Sequence, residues 1–218
     1  MELNKEQLQR VEHYLNVKDI TYIDLKLEVF DHIVSDIEAI MIDENAVFET
    51  AFYSVRSKWN KYLEETSSFY FGIMYAAPKV LIEKAKKVFK KHFFMLFASY
   101  FIPLTIFSYM DYSFSESSQY YFNKGFKVAS ILFLIICFYV FIKKNKPKIK
   151  TTYSFILKTQ SLGILIGFII VLKTSFFENN NHFNGIAMGL FFCFTYTTFV
   201  YFKFYKKHKE AIKKYKIS

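Results

Sequence analysis

The chain has 218 residues, of which 53% are hydrophobic and 21% aromatic, with a formal net charge of +10. That charge is unevenly divided: residues 1–65 hold seven Lys/Arg against fourteen Asp/Glu, and residues 66–218 hold twenty-two against five. The division argues against direct nucleic-acid binding, whose footprint is a basic patch on a folded domain rather than lysines flanking apolar stretches. Both cysteines, Cys137 and Cys193, fall inside apolar stretches, so neither a disulfide framework nor a zinc site is expected.

Residues 1–65 read as three amphipathic helices. Asn4 with Gln7 forms a candidate capping box for the first, which presents Leu8, Val11 and Leu15 on one face. Thr21 with Asp24 offers a similar start for the second. There Ile23, Leu27, Phe30, Val34, Ile37 and Met41 alternate spacings of four and three, an apolar seam. IDEN breaks the pattern, and a third helix follows with Phe48, Ala51 or Phe52, Val55, Trp59 and Tyr62 or Leu63 inward. A bundle of this size has a marginal core, so support from a partner, a second copy or the following segment is expected. The second-helix seam is expected to face helices one and three, with an outside contact as the alternative.

The stretch Ser67–Pro78 (SSFYFGIMYAAP) is apolar but too short to span a bilayer, and is expected at the interface or under the bundle. Pro78 suits the first turn of a helix. That helix puts Leu81, Ala85, Val88, Phe89 and His92 on one face and lysines on the other, and is expected to run rigidly into the first span.

Four apolar stretches follow, at 93–110, 126–142, 153–172 and 183–204. Each is near the roughly 20 residues that a helix needs to cross a hydrocarbon core of about 30 Å. Lysines crowd alternate connections. Lys84, Lys86, Lys87, Lys90 and Lys91 precede the first stretch, and Lys143, Lys144, Lys146, Lys148 and Lys150 separate the second and third. Lys203, Lys206, Lys207, Lys209, Lys213, Lys214 and Lys216 end the chain, whereas the other two connections carry only Lys124 and Lys173. By the positive-inside rule, both termini are expected in the cytoplasm, with the protein in the cell (inner) membrane. The lysines would then meet an anionic inner leaflet. The opening MELNKEQLQR has no apolar core of a signal peptide, so insertion is expected to be driven by the spans.

The expected fold is therefore all-α. Residues 1–65 form an acidic cytoplasmic bundle, 66–92 an interfacial segment and basic helix, 93–204 a four-helix membrane domain, and 205–218 a basic tail.

Candidate sites are few. Glu28, His32 and Asp36 recur every four residues on one face of the second helix, where Asp31, Ser35 and Glu38 add oxygens and Glu12 or His13 could contribute. A solvated face with i, i+4 pairs is the preferred reading, so no metal site is assigned. The same acidic side, Glu28, Asp31, Asp36 and Glu38, is the expected partner surface. Within the spans, Lys158, Gln160, Ser161, Thr195 and Thr198, with Thr197, form a candidate polar cluster, although Lys158 is close enough to a span end to snorkel. Gly163 with Gly167, and Gly185 with Gly189, are two GxxxG pairs expected to pack spans three and four together. Pro103 is expected to kink span one. No nucleotide-binding loop, nucleophile elbow, HExxH or CxxC occurs, so neither enzymatic activity nor a cofactor is expected.

EQLQRVEHYL, YIDLKLEVFDHIVSDIEAI and AVFETAFYSV together resemble HAAS-type helical signalling domains over about the first quarter of the chain. The pattern Tyr14-Leu15, Asp24-Leu25, Glu28, Asp31-His32 is similar to that of uncharacterised small four-span bacterial membrane proteins. The third helix departs from the first family, carrying Ser54-Val55-Arg56-Ser57 where a Leu-Gly-x-Pro-like turn is usual. The resemblance implies a signalling adaptor with a cytoplasmic protein partner. The alternative is a homo-oligomeric pore or small transporter lined by the polar residues of spans three and four.

Overall fold

The structure, a computed structural model, describes residues 2–145 and 149–216. Lys146 and Lys148, two of the lysines between the second and third apolar stretches, and residues 217–218 of the tail lie outside the described residues. The described chain contains α1 (Lys5–Val17), α2 (Ile23–Asp43), α3 (Phe48–Leu63), β1 (Glu65–Ser68), β2 (Gly72–Pro78), α4 (Lys79–Ser108), α5 (Glu116–Asn145), α6 (Thr152–Lys173) and α7 (Gly185–Lys216). These elements divide between two units, one of residues 2–87, 149–155 and 208–216, the other of residues 88–145 and 156–207.

In the first unit, Asn4 accepts the Gln7 amide N–H at 3.0 Å and the Gln7 side chain accepts that of Asn4 at 2.8 Å, capping α1 as its sequence implies. Tyr14 meets Phe52 edge to face at 6.2 Å and donates from its hydroxyl to Asn60 at 3.0 Å, joining α1 to α3. In α2 the buried stripe is Leu25, Val29, Ile33, Ile37 and Met41. This differs from the predicted seam, whose first half is wrongly phased: Ile23, Phe30 and Val34 are half-buried and Leu27 is exposed. α2 is apolar on more than one face, and a strict alternation of fours and threes cannot tell which face its neighbours cover. In α3, Ala51, Phe52, Val55 and Leu63 are buried while Tyr62 is exposed.

A hairpin follows where the sequence reading has none, so the chain is not purely helical. β1 and β2 pair antiparallel, Glu65 with Pro78 and Thr66 with Ala77. Gly72 closes the turn at φ +87°, a conformation that only glycine adopts without strain. Phe71 and Ala77 are buried. α4 then starts at Lys79 with Leu81, Ile82 and Ala85 inward.

Four helices, α4 to α7, are long and apolar enough to cross a bilayer, as in a membrane-embedded, multi-pass protein. In the second unit α4 runs on through Pro103. The α4–α5 and α6–α7 connections meet in an aromatic cluster: Phe114 lies 4.6 Å from Phe183 and 5.3 Å from Phe177, ring centre to ring centre. The Asn123 side chain accepts the Phe176 N–H at 2.9 Å, and Gln119 donates to Asn181 at 2.8 Å. These phenylalanines and their polar ties hold two loops that the sequence marks only by their lack of lysine.

The glycine pairs do not act alike. A Cβ on Gly189 would come within 2.8 Å of the Tyr100 carbonyl oxygen, and one on Gly185 within 2.7 Å of that of Leu104. Both contacts are with α4, rather than with span three as expected. Gly167 faces Phe194 of α7 at ordinary contact distance, and Gly163 faces open space.

Candidate functional site

Asp24 is the polar centre of the first unit. A buried carboxylate is costly unless charged or hydrogen-bonding groups surround it, and Asp24, 3% exposed, has both. Its Oδ1 accepts the backbone N–H of Thr152, the first residue of α6, at 2.9 Å. Its Oδ2 lies 3.5 Å from Lys84 Nζ, which also donates to the Asp24 carbonyl at 3.2 Å and to Glu28 at 2.5 Å. The start of α6 has further caps. Thr151 Oγ1 accepts the Ser154 N–H at 3.3 Å, Ser154 Oγ accepts that of Thr151 at 3.0 Å, and the buried His208 ring meets Thr151 Oγ1 at 2.9 Å. A carboxylate at a helix N-terminus is also favoured by the helix dipole. The sequence reading gave Asp24 to its own helix as a cap with Thr21. α2 instead begins after Tyr22 with no side-chain cap, leaving Asp24 for α6. Thr151 and Ser154, a threonine three residues ahead of a hydroxyl, were the available signal.

The predicted acidic stripe is taken up within the fold. Glu28 pairs with Lys84, Glu38 accepts the Leu3 N–H at 3.0 Å, and Asp36 accepts from Lys58 at 2.9 Å and from Trp59 Nε1 at 3.0 Å. His32 stacks on Trp59 at 6.4 Å. Glu12 pairs with Lys26 at 3.6 Å. Among the described residues, no group of three His, Cys, Asp or Glu side chains is placed to share a metal ion. Asp31, His32 and Ser35 are exposed.

Beside Asp24, on another face of α2, lies a groove of about 590 Å³ lined by Ile20, Ile23, Leu27, Phe30 and Ile149, with Glu12 and Lys26 also lining it. That volume lies within the roughly 300–1,000 Å³ of typical binding pockets. Ile23, Leu27 and Phe30 of the predicted seam line the groove.

In the second unit Gln160 and Thr197 of the predicted polar cluster line one small cavity between α6 and α7, while other members are engaged elsewhere. Lys158 is exposed, Thr195 and Thr197 donate to the carbonyls of Phe191 and Cys193 in their own helix, and Gln160 donates to Thr159 at 3.3 Å. Thr198 donates to Phe194 and lies 3.6 Å from Cys137 Sγ. Ser161 does have a partner cation, but it is Lys144: Lys144 Nζ donates to Ser161 Oγ at 2.8 Å and to the Leu157 carbonyl at 3.4 Å, with the Tyr201 hydroxyl 3.2 Å from Ser161. Lys144 is 8% exposed, although its sequence position is that of a loop-flanking lysine. Next to this cluster is an apolar cavity of about 120 Å³ between α5, α6 and α7, bordered by Cys137, Phe138, Ile164 and Tyr201. Comparison with known proteins gives no match among family models, curated proteins or solved structures.

Proposed function

We propose that this chain is a bacterial inner-membrane regulatory adaptor with both termini in the cytoplasm, whose amino-terminal helices bind a cytoplasmic protein. It is not an enzyme in this reading, and the role is the one implied by the resemblance to HAAS-type domains. The observation that carries it is the groove at Ile20, Ile23, Leu27, Phe30 and Ile149, an apolar-floored cleft in an otherwise acidic helical region. Short amphipathic partner helices fill such grooves with apolar side chains at i, i+3 or i+4 spacing. Asp24 adds a route for coupling. It ties α2, which lines the groove, to the first residue of the membrane-length helix α6 and to Lys84 of α4. The competing pore draws no support from Thr195 and Thr197, whose hydroxyls are engaged by their own helix.

The test is a photo-crosslinking amino acid introduced at Leu27 in living cells, with the exposed Ser54 on α3 as comparison. A discrete cross-linked protein at Leu27, missing at Ser54 and abolished when Ile23→Glu is added, is the expected result. No cross-link at Leu27, or equal labelling at both positions, would overturn the groove as the partner site.

A further inference from the structure

We propose that the β1–β2 hairpin is a membrane-interface anchor, with Phe69, Ile73 and Met74 inserted among the headgroups of the leaflet that α6 enters. The inference goes beyond the adaptor reading and needs only that the chain is membrane-embedded.

Three apolar side chains on one short hairpin are strongly exposed: Phe69 and Ile73 are 80% exposed and Met74 82%. Isolated exposed apolar residues are ordinary, but a cluster of large ones at a hairpin tip marks a surface that something covers. The opposite side of the same tip is packed. Phe71 is 3% exposed, with its ring 5.3 Å from that of Phe155, and Lys86 Nζ lies 5.1 Å from the centre of the Tyr70 ring.

The contact with Phe155 sets the depth. α6 has 22 residues, so at 1.5 Å per residue it is about 33 Å long. That is barely more than the roughly 30 Å hydrocarbon core. α6 therefore has almost no length to spare outside the membrane, and Phe155, in its first turn, lies at the boundary. The hairpin tip touches Phe155 and is held at the same level. Charge agrees: Lys86, Lys87, Lys90 and Lys91 follow on α4, and lysines near a bilayer surface are attracted to anionic lipids. Tyr70 and Tyr75 within the hairpin suit the headgroup region, where tyrosine is enriched. A bilayer is thus the occupant that apolar tip, depth and charge all fit.

The experiment places a reporter at the tip of the full-length protein. Trp59 is the only tryptophan, so Ile73→Trp in a Trp59→Phe background gives a single emitter, with Val47→Trp, at a site 69% exposed, as the water-facing reference. Both are reconstituted into phosphatidylethanolamine–phosphatidylglycerol liposomes containing lipids brominated near the top of the acyl chain. Relative to the reference, the Ile73 reporter is expected to emit at shorter wavelength, lose most of its intensity to the brominated lipid, and resist acrylamide. Quenching by acrylamide without quenching by lipid would put the hairpin in water and overturn the proposal. Protection from both quenchers would show a protein cover, such as a second copy, and would overturn it equally. Should the substituted chains fail to fold, the unmodified protein decides: photolysis with a headgroup-proximal diazirine lipid should leave adducts between residues 69 and 75. Adducts confined to the span helices would refute the anchor.

Discussion

Asp24 and Asp36 stand twelve positions apart on α2, and their surroundings give them different work. Asp24 is buried against α6 and Lys84, while Asp36 lies at the rim of α3. Burial pushes the Asp36 carboxyl upward, but hydrogen bonds from Lys58 and Trp59, with the positive charge of Lys58 and His32, outweigh it and hold the pKa below its ordinary value. A carboxyl with a depressed folded pKa stabilises the folded state above its unfolded pKa of about 3.9, and the contribution is lost as pH falls through the folded value. The pair is partly exposed, so its contribution to stability is small and screened by salt. The sole tryptophan donates to this carboxylate, so its emission should step at a midpoint below pH of about 3.9, and Asp36→Asn should remove the step. An unchanged titration in the variant would show that the emission follows another group. Neither carboxylate's partner could be read from the sequence, because Thr152 lies 128 residues from Asp24 and Trp59 lies 23 from Asp36. Helical spacing offers Asp36 only its i±4 neighbours, which is how it entered a candidate stripe with Glu28 and His32.

Among the elements, the membrane-length helices were the easiest to read, because apolar length is a property of the segment alone. Which helix meets which is a tertiary property. GxxxG at Gly185 and Gly189 marks a close approach without naming the partner, and a short connection to α6 made span three the natural guess, whereas Tyr100 and Leu104 of α4 are the neighbours. The hairpin was hidden for a related reason: ten or so apolar residues fit several local structures, and the left-handed turn at Gly72 decides among them. The glycine geometry makes a paired prediction. Gly189→Leu drives a branched side chain into the Tyr100 backbone and should destabilise the detergent-solubilised protein by about 1–3 kcal/mol, as overpacking does. Gly163→Leu adds the same side chain beside open space and should leave the thermal midpoint nearly unchanged. Equal losses in the two variants would mean that the close approach at Gly189 does not govern folding of the spans.

For the whole molecule, charge is the property that bears on orientation, and it is legible because translocation acts on sequence as well as on shape. Residues 109–115 and 174–184, between α4 and α5 and between α6 and α7, contain no lysine, whereas the amino-terminal approach to α4 and the end of α7 are rich in it. Lysine near span ends resists translocation, and the bias sets the orientation of short loops. The aromatic cluster of Phe114, Phe177 and Phe183 gives the two lysine-poor loops a mutual core, so they should share one compartment. Cysteines introduced at Tyr112 and Asn180, both exposed, should therefore react with a membrane-impermeant maleimide on intact cells from which the outer barrier has been removed. Cysteines at the exposed Asn4 and Lys213 should react only after lysis. The native Cys137 and Cys193 lie within α5 and α7, where a charged reagent in water does not reach them. The opposite pattern would turn the molecule over, put the groove of α1 and α2 outside the cell, and remove any cytoplasmic partner from its reach. Labelling at Tyr112 without labelling at Asn180 would instead break the pairing of the two loops, since one aromatic cluster cannot have halves on opposite sides of a membrane.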